Sequence, residues 1–478
     1  MSDTKSTLAP SFGFLLVITV ASRLPLFFVS FFSGDEATYS ALAARLLTGV
    51  LPYQGATDHK PPGMMLIYAG IYAIVGRYRL SFVRLLEMGV IALTAQRLGK
   101  IAEKLDLNAR VSVLFFVFAS IWGFPSDTMA ANTEIFLNLA LTVAAEKTLD
   151  ENSGSLFVAG ILTGFAGLLK YQAALAGAAW AIVVMRRHRW QLALPLAGGF
   201  LVVAVLYVGF FFYSRAWDDF CFWGWAFNAQ YVTALSAGEF VRNAAMRTGF
   251  CALNWLPLLA CAAQLRRPPR ILVAWLVCMS CAIAVGGRFF GHYYLMALPP
   301  LCLWAGIPTV SKGWVRLGIL LTIGWTAVAW RFYDLKPHLR EYDRTYHEVA
   351  AFVRAQSDPE DRIFVWGNSP EIYVLSNRVM ATRFAFCNYH TGKIWGTPLD
   401  DVDAPSDLTY PYRVPRAWTE LFEDLRTTSP RLLIDAAAGR LDRFDLHSID
   451  RYPQLAKVVA SDYSLIGTPG GVPVYRHR

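Results

Sequence analysis

The sequence predicts a multi-span α-helical membrane protein with a small α/β domain at its C-terminal end. Two observations carry this. Apolar runs recur from near the start to about residue 331, in a chain that is 55% hydrophobic and only 17% charged. From about Asp334 the composition turns ordinary, and short apolar strand-like and helical pieces alternate. A membrane domain over residues 1–333, with a large loop at 33–80, and an extramembrane domain over 334–478 are therefore expected.

The first apolar run, 12–32, is long for a signal-peptide core and lacks a small-residue cleavage site, so it reads as a retained span. Arg23 lies inside it, where an unpaired cation is costly; a carboxylate partner within the bundle is the favoured expectation, and anchoring of a lipid phosphate is the other reading. Next comes 33-SGDEATYSALAARLLTGVLPYQGATDHKPPGMMLIYA-69, which gathers Asp35, Glu36, Asp58, His59 and Lys60 between two apolar runs. The acids suit the first turn of a helix. Tyr39, Leu42, Ala43 and Leu46 fall on one face, which predicts a helix lying along the membrane surface. A catalytic loop is one reading of this stretch; a solvated connector with a capped helix is the other.

The run at 63–76 is short for a span and is read as a half-inserted or juxtamembrane helix on the outer side. Further spans fall at roughly 81–98, 110–125, 134–147, 155–170, 171–186, 191–213, 245–264, 271–286, 293–309 and 314–331, about eleven in all. The loops alternate in charge. Arg97–Arg110, Arg186–Arg189, Arg266–Arg270 and Lys312–Arg316 hold twelve basic residues, against five (Lys170, Arg215, Arg242, Arg247, Arg288) in the opposite set. The basic set should be cytoplasmic, which puts the C-terminal domain outside, on the periplasmic face of a bacterial inner membrane. Arg77, Arg79 and Arg84 run against this alternation. The net charge of +9 thus reflects orientation, with no nucleic-acid partner implied. Five of the seven cysteines lie in or beside apolar spans without metal spacing, and a Cys221–Cys387 disulfide is the less favoured reading. The aromatic loop 211–232 reads as an interfacial belt, or as a wall stacking on lipid or sugar.

In the C-terminal domain, helices near 345–356, 369–377, 418–427 and 453–460 are expected. Strands are expected at 362–367, 380–386 and 431–437, with a closing hairpin at Thr468–Gly471. Asp435, at a strand end, is read as structural.

The same topology puts the polar residues of interest on one side: Asp35, Glu36, His59 and Lys60; Asp127, Asn132 and Glu134; Lys170 with Tyr171; and Arg288, His292 and Tyr293. Each has a bland alternative, whether snorkelling for Lys170 and Arg288, a helix start for Glu134, or the interface for His292. Together, acids and bases on one face of a bundle suggest a reaction site.

Asp35-Glu36-x-x-Tyr39, Lys60-Pro61-Pro62, Asn132-Thr133-Glu134, Lys170-Tyr171 and Gly287-Arg288-Phe289-Phe290-x-His292-Tyr293 resemble the family-39-type glycosyltransferases, which include protein O-mannosyltransferases and the bacterial aminoarabinose transferase acting on lipid A. The resemblance covers roughly residues 12–331. It implies a GT-C fold and inverting transfer of a sugar from a polyprenyl-phosphate donor to a glycan, lipid or protein acceptor at the outer face. Carried onto this chain, Asp35 is the expected base, with Glu36 supporting it, and Lys60 and Arg288 are the cations for the donor phosphate. Tyr39, His59, Asp127, Glu134, Lys170, His292 and Tyr293 are expected at the substrates. No cofactor is required; Asp35 with Asp127 or Glu134 would supply ligands for a divalent ion if they converge. A flippase for lipid-linked sugar and an O-antigen-type polymerase or ligase are the competing classes.

Overall fold

The computed structural model describes residues 8–121, 128–185, 190–233, 235–263, 268–307, 312–329, 331, 337–393, 395 and 405–478. The chain is mostly helical and divides into two compact units that do not follow chain order. The first takes in Met1–Phe32, Ser81–Arg215 and Leu235–Phe332; the second gathers Ser33–Leu80, Ala216–Ala234 and Tyr333–Arg478.

The first unit is a bundle whose helices follow the apolar runs: Leu80–Lys104, Ala109–Ala119, Thr133–Thr148, Ser153–Leu169, Ala193–Tyr213, Arg270–Ala284 and Lys312–Ala329 among them. Among the described residues one helix, Trp190–Tyr213, is long and apolar enough to cross a membrane, with mean hydropathy 2.2. It packs against Ser153–Leu169 at backbone distance. A methyl on Gly160 would meet the Leu196 carbonyl oxygen at 2.0 Å, and one on Gly199 would meet that of Phe157 at 2.0 Å. Only glycine allows this approach.

Two buried arginines tie the bundle. Arg23, fully buried, lies 3.5 Å from Glu87, also fully buried. It also donates to the Thr128 carbonyl at 3.2 Å and the Ser120 hydroxyl at 3.0 Å. The expected carboxylate partner is thus Glu87. Arg84 donates to the carbonyls of Leu26, Val29 and Ser30, where the first helix has run out and leaves acceptors unmet. Arg77, for its part, pairs with Glu360 inside the second unit. Two of the arginines that ran against the charge alternation therefore have local partners.

The second unit is built on a five-stranded sheet of order β2-β1-β3-β5-β4, with β1 Arg362–Trp366, β2 Val379–Met380, β3 Leu432–Asp435, β4 Tyr463–Gly467 and β5 Val474–His477. β1 runs parallel to β2 and β3; β5 is antiparallel to β3 and β4, closing the expected hairpin. The strand expected at 380–386 stops early. The Arg383 N–H is taken by the Asp424 carboxylate at 2.8 Å and its carbonyl by Thr57 N–H at 2.8 Å, so the backbone leaves the sheet. Asp435 accepts from Ala438 and Ile449 N–H, the structural role expected. Both Cys221 and Cys387 are free thiols.

The helix Gly34–Leu46 is buried from Glu36 through Arg45. It packs on the helices Gly63–Val75 and Glu371–Ser376 and on β2. Gly63–Val75, at 13 residues, is about 20 Å long, short of a bilayer's apolar thickness. Within the aromatic loop, Trp223 is fully buried against Tyr389 and Phe384, whereas Phe212, Tyr213, Trp217 and Trp225 are exposed.

Candidate active site

Within the second unit, Ser33 caps the helix Gly34–Leu46 by accepting from the Asp35 N–H at 3.3 Å. The Asp35 side chain is therefore not the cap. It lies instead 2.6 Å from Lys60 Nζ, both side chains remaining part-exposed. Lys60 also stands 5.0 Å over the Tyr39 ring. Burial opposes the Lys60 charge, but Asp35, Tyr39 and Asp58 together hold its pKa well above the ordinary lysine value. Glu36, one residue on, is fully buried.

The turn carrying Lys60 is clamped from two distant segments. Asp58 Oδ1 accepts from the His59 N–H at 2.7 Å and lies 3.0 Å from His59 Nδ1. Burial would raise the Asp58 pKa, but Lys60 and the hydrogen bonds from His59 hold it well below the usual carboxylate range. The Tyr389 hydroxyl accepts from the His59 N–H at 3.1 Å, and Asn228 Nδ2 donates to the His59 carbonyl at 2.6 Å. The His59 ring stacks on Trp395 and meets Phe227 and Tyr231. Tyr389, Asn228 and Trp395 escape a reading of the sequence because nothing local marks a residue that works on a turn far away in the chain.

The first unit holds a second cluster. Lys170 ends the helix Ser153–Leu169 in an extended conformation, pairs with buried Glu134 at the start of Thr133–Thr148, and sits 3.1 Å over the Tyr293 ring. His292 packs between Phe290 and Tyr293. Glu134, Lys170, His292 and Tyr293 thus come together as expected. Arg288, 1% exposed, sits in a contorted turn: Gly286, Gly287 and Phe289 all have positive φ, of 87°, 65° and 51°. Such backbone at a non-glycine residue is held only by its surroundings, here Asn243 donating to the Gly287 carbonyl at 3.2 Å and Phe240 packing on Phe289. Asp127 lies outside the described residues. Among the described residues no three His, Cys, Asp or Glu side chains group as metal ligands.

No protein-family model and no curated protein matches the chain. Solved structures do. The ArnT of Cupriavidus metallidurans, in a crystal structure bound to undecaprenyl phosphate, aligns with a TM-score of 0.61 at 14% identity over 98% of each chain. The apo ArnT aligns with a TM-score of 0.57 at 13% identity, over 96% of this chain and 97% of that one. The chain has the GT-C fold. At this identity the likeness concerns fold, and the chemistry rests on the side chains above.

Proposed function

We propose that the chain is an integral-membrane glycosyltransferase that moves a sugar from a polyprenyl phosphate to an acceptor hydroxyl. The observation that carries the reading is the part-exposed Asp35–Lys60 pair, held by a buried, clamped turn on a GT-C scaffold. The donor's phosphate is the leaving group. It is ionised at neutral pH and needs cations more than a proton, which suits Lys60 and Arg288. When that phosphate engages Lys60, Asp35 loses its partner and can accept a proton. The acceptor oxygen then attacks the anomeric carbon, the carbon–oxygen bond to phosphate breaks, and the acceptor's proton passes to Asp35. Attack opposite the leaving group inverts the anomeric centre. Glu36 supports the helix start, and Glu134, Lys170, Tyr293 and His292 orient substrate.

We place the protein across the membrane with about eleven spans and the second unit outside. Two features support this. Trp190–Tyr213 exposes Leu201, Val205, Leu206 and Phe212, which calls for an apolar surrounding. The second unit also gathers the three stretches, 33–80, 216–234 and 333–478, that the charge count assigns to one side. A polyprenyl-phosphate binding partner is in keeping with the ligand of the ArnT structure. The test is transfer by purified protein in detergent, supplied with undecaprenyl-phosphate hexoses and envelope glycolipid. Product in the absence of a second compartment is expected; lipid translocation without product would overturn the reading in favour of a flippase.

A further inference from the structure

The sheet of the second unit has a switch point. The chain leaves β1 to reach β2 on one side, then crosses back to β3 on the other, and all three strands are parallel. The loops after β1 and β3 therefore set out toward opposite sides at the strands' carboxyl ends, the place where open α/β sheets hold ligands in a crevice. Polar groups converge there. Asn368, after β1, donates to Asp442, after β3. Glu371 opens the following helix, is 7% exposed, and its Oε2 makes no hydrogen bond among the described residues. Asp343 and Tyr346, on the helix Pro337–Ala355, act electrostatically with Glu371. Asn368, Asp442 and Asp343 remain half-exposed around it. On its other side Glu371 reaches the helix of the proposed base: a methyl on Gly34, next to Asp35, would stand 3.7 Å from Glu371 Oε1.

We propose that this crevice, built from Asn368, Glu371, Asp442, Asp343 and Tyr346, binds a hydroxyl-rich sugar of the acceptor beside Asp35. The inference rests on the transferase reading and names its acceptor class. Carboxylates and an amide meet the paired donors and acceptors of sugar hydroxyls. Burial, with Asp442 and Asp343 adding, pushes the Glu371 pKa up to about 8. At neutral pH its carboxyl thus keeps a proton to donate, which suits a hydroxyl ligand better than a cation.

The test is saturation-transfer NMR on the full chain in nanodiscs, with methyl glycosides of glucose, galactose, mannose and N-acetylglucosamine as probes. At least one glycoside should bind the wild type. Glu371→Ala and Asp442→Asn should weaken it about ten- to a hundredfold, the effect of losing a buried hydrogen bond to an acid. Glu371→Gln, which keeps shape and a donor, should bind more tightly than Glu371→Ala, and thermal melts of all the variants establish that they fold. No glycoside signal from a wild type that does transfer sugar to envelope glycolipid would overturn the site and leave the transferase standing. Binding unchanged in Glu371→Ala and Asp442→Asn would also overturn it. A wild type that binds glycoside but never transfers would count against the transferase and the acceptor role together.

Discussion

Glu371→Gln isolates a single buried proton. The folded chain holds Glu371 near pH 8, against an ordinary value of 4.5. Below pH 4.5 the folded and unfolded states are both protonated. Between these values the unfolded chain has released the proton and the folded chain has kept it. Wild-type stability therefore falls as pH rises through this window and levels off above it. At about 1.36 kcal/mol per pH unit, the whole span is worth up to about 5 kcal/mol. Glutamine cannot ionise, so the variant escapes the loss. For a unit of this size 1 kcal/mol corresponds to about 2–4 °C in Tm, so the two proteins should melt together at pH 5 and part by about 10–20 °C at pH 9, the variant higher. Differential scanning fluorimetry suits the measurement, because Trp366, fully buried at the end of β1, reports on the sheet beside Glu371. Parallel pH profiles for the two proteins would refute the reasoning, since Glu371 would then titrate alike in both states.

Asp35→Asn should lower transfer about 10²–10⁴-fold with an unchanged melting temperature, because Ser33 and not Asp35 caps the helix; near wild-type turnover would remove Asp35 from the chemistry. Lys60→Ala should raise the donor KM, and Arg288→Lys should not substitute for arginine, since the planar fork is lost; unchanged donor kinetics in both would dismiss the phosphate role. Gly160→Ala or Gly199→Ala should lower the yield of folded protein, because each added methyl meets a backbone carbonyl at 2.0 Å; a normal thermal melt for either would show that the two helices can part. A reporter fused after Arg478 should be active only outside the cytoplasm, and cytoplasmic activity would invert the proposed topology.

Much of the helical bundle was legible, because apolar length and loop charge act locally along the chain. Arg23 was legible as a paired cation, since a lone charge within an apolar run demands a partner. The Gly34–Leu46 helix was half legible. Its acidic start was plain, yet Tyr39, Leu42, Ala43 and Leu46 suggested one apolar face. The small residues Ala37, Ser40, Ala41 and Ala44 give little hydrophobic signal but let neighbours close over the other faces. The clamp on Lys60 was not legible at all. Tyr389 acts on His59 from 330 positions away, and a buried tyrosine carries no mark of what its hydroxyl will meet.

The three-part make-up of the second unit also has a consequence for biosynthesis. Residues 33–80 leave the ribosome early, but the Tyr389 hydroxyl and the strands that enclose them come from the last third of the chain. At about 5–20 residues per second, a wait of roughly 15–70 s separates the Lys60 turn from its clamp. During that interval the Gly34–Leu46 helix has no sheet to pack on. Chains stalled before Tyr389 would thus carry the proposed catalytic residues without the means to arrange them.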